Sequence, residues 1–229
     1  MGPRPLADPS ARRHRAVIRV AIALLLLSAG TAAALDVDLE PYRQARRSGA
    51  LGGVAGRVFS EPSKPNAPAR PFVGTTVTLL PRSAGFLGKL ESLKQGSRDS
   101  SRAFAAAAPA MRKAREAYER ELLEAGAPDL NPLILVDPDG TFRIDDVPAG
   151  AWLVVAWHSE VRDVATSRVN PKERQTFQPP YHLRGFQSVT VWLRELNVVG
   201  GQSATVELTD RNQWFRGVVE DRVLDAVGR

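Results

Sequence analysis

The sequence contains no cysteine among its 229 residues. This absence excludes disulfide bonds, cysteine-ligated zinc sites and iron–sulfur clusters, because each of them requires thiol groups. It also excludes a lipid anchor attached to a cysteine at a cleavage site. Stability must therefore come from an apolar core, and the chain is long enough to form one domain or one domain with an insertion.

Histidine is scarce, and two of the three histidines, His158 and His182, lie beyond the N-terminal segment. Neither the H-E-x-x-H nor the G-x-S-x-G pattern occurs in the sequence. A zinc site needs three or four ligands, and the candidates do not cluster around either histidine. We therefore expect no enzymatic activity, no cofactor and no metal, with both histidines serving structural roles.

The excess of positive over negative charge is also small once the N-terminus is set aside. The formal net charge is +6, and residues 1–35 supply four of these charges through five arginines opposed by Asp8. The remaining net charge of +2 does not predict a nucleic acid or an anionic membrane as partner.

The N-terminal segment has the composition of a secretory signal peptide. Arg12, Arg13 and Arg15 precede the apolar run Val20–Leu27, and small residues follow up to Ala34. We expect cleavage after Ala34, a periplasmic or secreted protein, and no membrane span after cleavage. A retained anchor is the alternative, although the apolar run is shorter than the roughly 20 residues that a spanning helix needs.

The stretch Leu135–Trp157 organises the rest of the chain. A D-P-D-G turn, in which Pro138 presets the backbone and Gly140 supplies conformational freedom, leads into a short alternating strand. A second turn, D-V-P-A-G, leads into the apolar segment 151–157. This pattern predicts a strand–turn–strand unit. It places Trp152 in the core, opposite Phe142 and Ile144.

Alternating apolar residues predict four further strands near residues 54–58, 72–80, 189–194 and 204–208, and the tail 214–219 can add a last one. In the second of them, Val73, Thr75, Val77 and Leu79 share one predicted face. The sequence Val199–Gln202 predicts a hairpin turn that pairs the strands on either side of it. Between these strands we expect a polar lead-in at 35–52, a proline-rich linker at 61–71 and a loop at 158–180.

The pattern changes to a helical period in residues 85–126. Phe86, Leu90 and Leu93 predict a short helix ended by Gly96, and Asp99, Ser100 or Ser101 can cap a second one. The second helix carries an apolar stripe at three- and four-residue spacing, formed by Phe104, Ala107, Met111, Ala114, Tyr118 and Leu122. Pro109 is expected to bend this helix.

The motifs Gly56-x-Val58, Pro71-x-Val73-Gly74, D-P-D-G-T-F-R-I-D-D-V-P-A-G-A-W and V-V-G-G-Q-S-A-T-V-E-L resemble the carboxypeptidase regulatory-like domains. The resemblance covers about residues 53–80 and 133–209. It implies a mainly β fold, an antiparallel seven-stranded transthyretin-like sandwich, which here would span residues 53–229. The helical hairpin 85–126 departs from the family pattern, in which this link is short, and we expect it to be an insertion. It also implies a non-catalytic folding, docking or adhesion module, and relatives in the wider fold group bind carbohydrate.

Asp137, Asp139, Asp145 and Asp146 form the one acidic cluster of the sequence. Several carboxylates could bind calcium, but the EF-hand spacing is absent, and aspartate also begins turns through its own side chain. The turn interpretation is the one we prefer.

Trp192 shares a predicted strand face with Thr190 and Arg194, opposite Val189 and Val191. An exposed tryptophan beside an arginine could stack on a sugar ring or anchor a peptide. Alternatively, Trp192 packs under the helical insertion, and we favour this second interpretation because the apolar stripe must be buried somewhere. The candidate binding surface comprises Trp192, Arg194, Thr190, Arg112, Arg115 and Glu119.

Three functions are compatible with these patterns. The first is an exported, non-enzymatic binding or scaffolding module that recognises a protein partner in the cell envelope through the outward face of the insertion. The second is a carbohydrate-binding module, and the third is a hydrolase whose site is assembled only by folding. Since the sandwich closes without the insertion, the sequence predicts that a chain lacking residues 85–126 still folds.

Overall fold

The computed structural model describes residues 35–62, 64, 67–163 and 181–224. The predicted signal peptide and most of the predicted loop 158–180 lie outside these residues. Within them the helices are α1 (Glu40–Arg47), α2 (Ala84–Gly96) and α3 (Ser101–Glu124), with a 3-10 helix at Pro128–Leu130. The strands are β1 (Leu51–Ser60), β2 (Arg70–Pro71), β3 (Thr76–Pro81), β4 (Leu133–Leu135), β5 (Thr141–Pro148), β6 (Gly150–Asp163), β7 (Tyr181–Val198), β8 (Ser203–Thr209) and β9 (Phe215–Leu224).

The strands form two sheets that face each other as a β-sandwich. One sheet contains β1, β2, β5 and β8, and the other has the order β4-β3-β6-β7-β9. The described part of the chain thus has nine strands rather than seven. Strand β1 pairs antiparallel with β5 but parallel with β8, so the prediction of a purely antiparallel sandwich is wrong at this pair. The transthyretin-like topology stays a prediction.

The strand–turn–strand unit is confirmed by β5 and β6. Phe142 and Ile144 are buried on β5, and Trp152 is fully buried on β6. The indole Nε1 of Trp152 donates a hydrogen bond to the carbonyl oxygen of Pro148 at 2.8 Å. Residues 151–157 form a central part of their sheet, because β6 pairs with β3 on one side and β7 on the other. Both faces of this strand are apolar since both are covered.

The predicted hairpin at Val199–Gln202 does not pair its two flanking strands. Instead, β8 leaves the sheet of β7 and runs beside β1 in the opposite sheet. The turn therefore connects the two layers. Alternation in 204–208 correctly indicated a strand, but alternation does not encode which strand is its partner.

The lead-in 35–52 is not irregular, and its residues belong to the folded unit. Helix α1 buries Tyr42, whose ring packs edge-to-face on Trp152 with centroids 5.1 Å apart and whose hydroxyl donates to the carbonyl oxygen of Ala151. Asp36 accepts hydrogen bonds from Ser83 Oγ and, at 2.5 Å, from the backbone N–H of Gly85. The segment therefore closes one end of the core and holds the start of α2.

Two segments differ from their predicted extent. Strand β3 begins at Thr76 rather than at residue 72, because a turn with Gly74 at φ 79° precedes it, and Val73 is consequently exposed. Strand β6 continues to Asp163, so the first residues of the predicted loop extend the sheet. The strand predicted in the tail is confirmed as β9.

The helical hairpin is confirmed, and its caps are those of stable helices. Ser83 Oγ accepts from the backbone N–H of Phe86 at 2.8 Å, and Ser100 Oγ accepts from that of Ala103 at 3.1 Å. The rings of Phe86 and Tyr118 stack with centroids 4.9 Å apart. Pro109 lies inside α3 rather than at its start, and the bend stays a prediction.

The hairpin covers the outer face of the five-stranded sheet. Phe86, Leu90 and Met111 enclose a small void of about 10 Å³ together with Val155 and Val191 of the sheet. The molecule therefore has a second apolar layer outside the sandwich. Among the helices of the described residues, none combines the length and hydropathy that a membrane span requires.

Candidate functional site

The predicted binding surface around Trp192 is not formed, because Trp192 lies between the two sheets. Its side chain is fully buried, and its Nε1 donates to the carbonyl oxygen of Thr209 at 2.7 Å. Its ring packs 5.3 Å from that of Phe72, and Thr190 beside it is buried as well. Trp192 packs neither on a ligand nor under the insertion. Both interpretations placed it on the outer face, whereas it lies on the inner one.

Of the three charged residues of α3 in the predicted binding surface, two are largely buried, and Arg115 is among the residues that line the void over the sheet. The side chains of Arg115 and Glu119 are 15% and 21% exposed, and Arg115 Nε lies 3.1 Å from Glu119 Oε1 at an angle that forms no hydrogen bond. Burial raises the pKa of Glu119, and the positive charge of Arg115 opposes this shift. Arg112 remains exposed, 3.8 Å from Glu116.

His158 is held by hydrogen bonds that define its tautomer. The single hydroxyl hydrogen of Thr75 is donated to the carbonyl oxygen of Phe72 at 2.6 Å. Thr75 Oγ1 lies 3.1 Å from His158 Nδ1, so Nδ1 carries a hydrogen and donates it to Thr75. The ring also packs 5.1 Å from that of Phe72. His158 thus has the structural role expected of it, while the side chain of His182 lies outside the described residues.

The fold should lose stability in mild acid through His158. Burial lowers the pKa of His158, and the charge of Glu160 opposes this shift. Below about pH 6.5, the unfolded chain binds a proton that the folded chain does not, so the free energy of unfolding falls with pH until the folded-state pKa is passed. Urea titrations of the wild type and His158→Asn from pH 7.5 to 5 should show a shallower decline in the variant.

Because the two proteins differ at no other titratable group, the difference between the two curves isolates His158. Parallel curves would show that the imidazole is not shielded from water in the folded chain.

The acidic cluster is used in local structure. Asp139 accepts from the backbone N–H and the hydroxyl of Thr141, and these bonds lower the pKa of Asp139. Asp145 accepts from Arg143 Nε at 2.8 Å. Across the described ranges, no three histidine or carboxylate side chains lie close enough together to hold a metal ion. The bonds of Asp139 are those expected of an aspartate in a turn, whereas Asp145 forms an ion pair within β5.

Trp214 is a partly exposed aromatic residue that precedes β9, and the sequence indicated it only as part of a predicted strand. Its side chain is half-buried, and Lys94 Nζ lies 4.7 Å from its ring centroid. Among the described residues, no acceptor lies within hydrogen-bond distance of its indole N–H. The run of a tryptophan followed by Phe215 and Arg216 could have indicated a binding surface. The sequence did not show, however, that α2 packs beside it.

Trp214 separates two grooves of different charge. The acidic groove has a volume of about 440 Å³ and is lined by Leu87, Gly88, Glu91, Leu193, Arg194, Glu195 and Trp214. In it, Arg194 is held by a hydrogen bond to the carbonyl oxygen of Asn212 at 2.7 Å. The basic groove has a volume of about 290 Å³ and lies on the other side, where Lys94, Arg98, Phe104 and Arg216 are among its lining residues. A half-buried indole between charged grooves can contact a ligand through its apolar ring while the neighbouring charges contribute ionic interactions.

Comparisons with known proteins give no family assignment. No protein-family model matches the chain, and no curated protein matches it significantly. One similar solved structure is a Pseudomonas aeruginosa protein for which carbohydrate binding has been suggested; it is 13% identical, with 76% of this chain and 97% of that chain covered and a TM-score of 0.41.

Two further similar structures are pilus proteins of streptococci. The minor pilin GBS52 of Streptococcus agalactiae is 10% identical, with 79% of this chain and 49% of that chain covered and a TM-score of 0.29. The pilus backbone protein RrgB of Streptococcus pneumoniae is 12% identical, with 70% and 41% covered and a TM-score of 0.25. The chain thus spans less than half the length of either pilus protein. All three TM-scores lie below 0.5, so these similarities establish neither a shared function nor a shared topology.

Proposed function

We propose that the chain is an exported, non-enzymatic binding or scaffolding module of the cell envelope, and that it recognises a protein partner on the side of the helical hairpin. One observation carries this proposal: the half-buried Trp214 lies between two open grooves beside α2, and its indole N–H makes no hydrogen bond within the part of the chain that the structure describes. Tryptophan and arginine are the side chains most enriched at the centres of protein interfaces.

The polar side chains that could have carried chemistry support a binding role. His158 is committed to Thr75, Asp139 to Thr141, and Asp145 to Arg143. A catalytic base needs a lone pair within reach of a reacting group, and Nε2 of His158 keeps one, so the structural role of this ring rests on its bond to Thr75 and its packing on Phe72. The local bonds of these residues serve the turns and strand ends instead.

A carbohydrate-binding module is the second candidate, and the acidic groove favours it. Trp214 lies there beside the carboxylates of Glu91 and Glu195, which can accept hydrogen bonds from hydroxyl groups. However, Lys94 already occupies one face of the indole ring, and Glu195 is paired with Arg82. Both contacts reduce the indole surface and the carboxylate oxygens that remain for a sugar ring, so we consider a protein partner the better candidate.

Photo-crosslinking in the cells that naturally produce the chain tests the proposal. A benzophenone amino acid is introduced at Phe104, which is 39% exposed on the hairpin, and at the matched exposed control Thr205 on β8 of the other sheet. We expect a discrete protein adduct from position 104 and none from position 205. No adduct from 104, or the same adducts from both positions, would contradict a partner site on the hairpin side.

A further inference from the structure

The basic groove collects positive charge without an opposing carboxylate. Lys94, Arg98 and Arg216 line it, and no acidic side chain is among its lining residues. Lys94 lies 3.5 Å from Glu91, but within the described residues neither of the two arginines has an ion-pair partner. Unpaired cations in a groove raise the local concentration of anionic ligands.

The same groove contains aromatic surface. Phe104 is 39% exposed on the first turn of α3, and the half-buried Trp214 also lines the groove, whereas Phe215 is buried and adds little surface. A purely anionic ligand would leave this apolar surface in water. Burying it requires a ligand that carries apolar groups between its charges.

The groove also lies at the beginning of an edge strand. Strand β9 is the last strand of its sheet, so one of its two edges pairs with no strand in the described part of the chain. An extended peptide can add to such an edge through main-chain hydrogen bonds while its side chains enter neighbouring pockets. Neither a polysaccharide nor a lipid offers this pairing.

We infer that the basic groove binds an extended acidic peptide segment of the partner protein, with an apolar side chain between its carboxylates. The acidic groups face Arg98 and Arg216, and the apolar side chain contacts Phe104 and Trp214. This inference rests on the proposed function, because it names the chemistry that the partner presents to the hairpin side.

The test is fluorescence anisotropy with a labelled peptide in which glutamate alternates with leucine, titrated with the mature chain. We expect saturable binding that weakens as salt rises, since charge pairs at an open surface are screened within a Debye length of about 8 Å at physiological ionic strength. Peptides with glutamine or lysine in place of glutamate should bind at least about tenfold more weakly, the size of one lost charge-assisted hydrogen bond.

Charge-reversal variants locate the site. Arg98→Glu should weaken binding of the glutamate–leucine peptide by about tenfold or more. The matched control is Lys89→Glu, the same charge change at an exposed position of α2 outside the groove; its effect should stay below about twofold. Phe104→Ala should weaken binding by about threefold to tenfold through lost apolar contact.

Equal losses from Arg98→Glu and Lys89→Glu would overturn the site, because the attraction would then be general. Equal affinity for the glutamine peptide would show that the ligand need not be acidic. Binding of alginate in place of the peptide would show that the ligand is a polysaccharide and not a peptide. If no peptide binds while position 104 still crosslinks to a protein, the acidic assignment fails and the proposed function stands. If the adduct is also absent, both fail.

Discussion

Replacing Trp152 with alanine is expected to lower the free energy of unfolding by about 3–5 kcal/mol, the usual cost of deleting a large buried aromatic side chain. Trp152 is fully buried, packs on Tyr42, and donates its indole N–H to Pro148. Its removal leaves a cavity where helix α1 meets the end of the sandwich. Urea titration followed by circular dichroism measures the loss.

Trp152→Phe is the matched control, because it retains a ring against Tyr42 and removes the hydrogen bond. It should cost less than the alanine variant. A loss below about 1 kcal/mol for Trp152→Ala would contradict the packing described for β6, since only exposed positions are so tolerant.

Replacing residues 85–126 by a short glycine–serine loop is expected to prevent folding, which reverses the expectation from sequence. The hairpin buries eight side chains: Phe86, Leu90, Ala107, Ala108, Met111, Ala114, Tyr118 and Leu122. Five of them are large, and at about 1.5–3 kcal/mol each they contribute about 7.5–15 kcal/mol, which is comparable to the roughly 5–15 kcal/mol by which domains are stable. We expect aggregation and no cooperative unfolding transition. A soluble shortened monomer that unfolds cooperatively would refute the structural role of the hairpin.

Two adjacent leucines on α3 give a sharper version of the same test. Leu122 is fully buried and Leu123 is 60% exposed. Leu122→Ala should cost about 2–5 kcal/mol, whereas Leu123→Ala should change stability by less than about 0.5 kcal/mol. Equal effects would show that the helix does not present this face to the sheet.

The sequence predicted those elements whose signals are local. The turn chemistry of D-P-D-G and the apolar segment 151–157 identified β5 and β6, and the three- and four-residue spacing together with Ser100 identified α3. Helix α1 was missed because it is short and mostly polar, with a buried face of Tyr42 and Ala45 between charged residues. So few apolar residues do not produce a visible period.

The faces and partners of strands were harder to predict. In β7 both Val191 and Trp192 are buried, because the hairpin covers one side and the second sheet covers the other. Alternation alone cannot distinguish an inner from an outer face when both are apolar. The pairing of β8 with β1 likewise depends on tertiary packing, and the residues of β8 do not encode it.

The candidate site could not be predicted because it depends on segments far apart in sequence. Lys94 and Arg98 lie at the end of α2, Phe104 begins α3, and Trp214 precedes β9. They meet only because the hairpin folds back over the outer face of the sheet. Arg115 and Glu119 were misplaced for the same reason, since the width of the covered face is set by the sheet below it.

Trp214, and not Trp192, is the tryptophan that we place at the binding surface. Fluorine NMR of the mature chain labelled with 5-fluorotryptophan tests it directly, because the four tryptophans can be assigned by single replacement with phenylalanine. We expect a clear H₂O–D₂O shift for the Trp214 resonance and almost none for the Trp192 resonance. Addition of the glutamate–leucine peptide should move the Trp214 resonance and leave the Trp192 resonance unchanged. A solvent-sensitive Trp192 that responds to the peptide, with Trp214 unchanged, would contradict this placement.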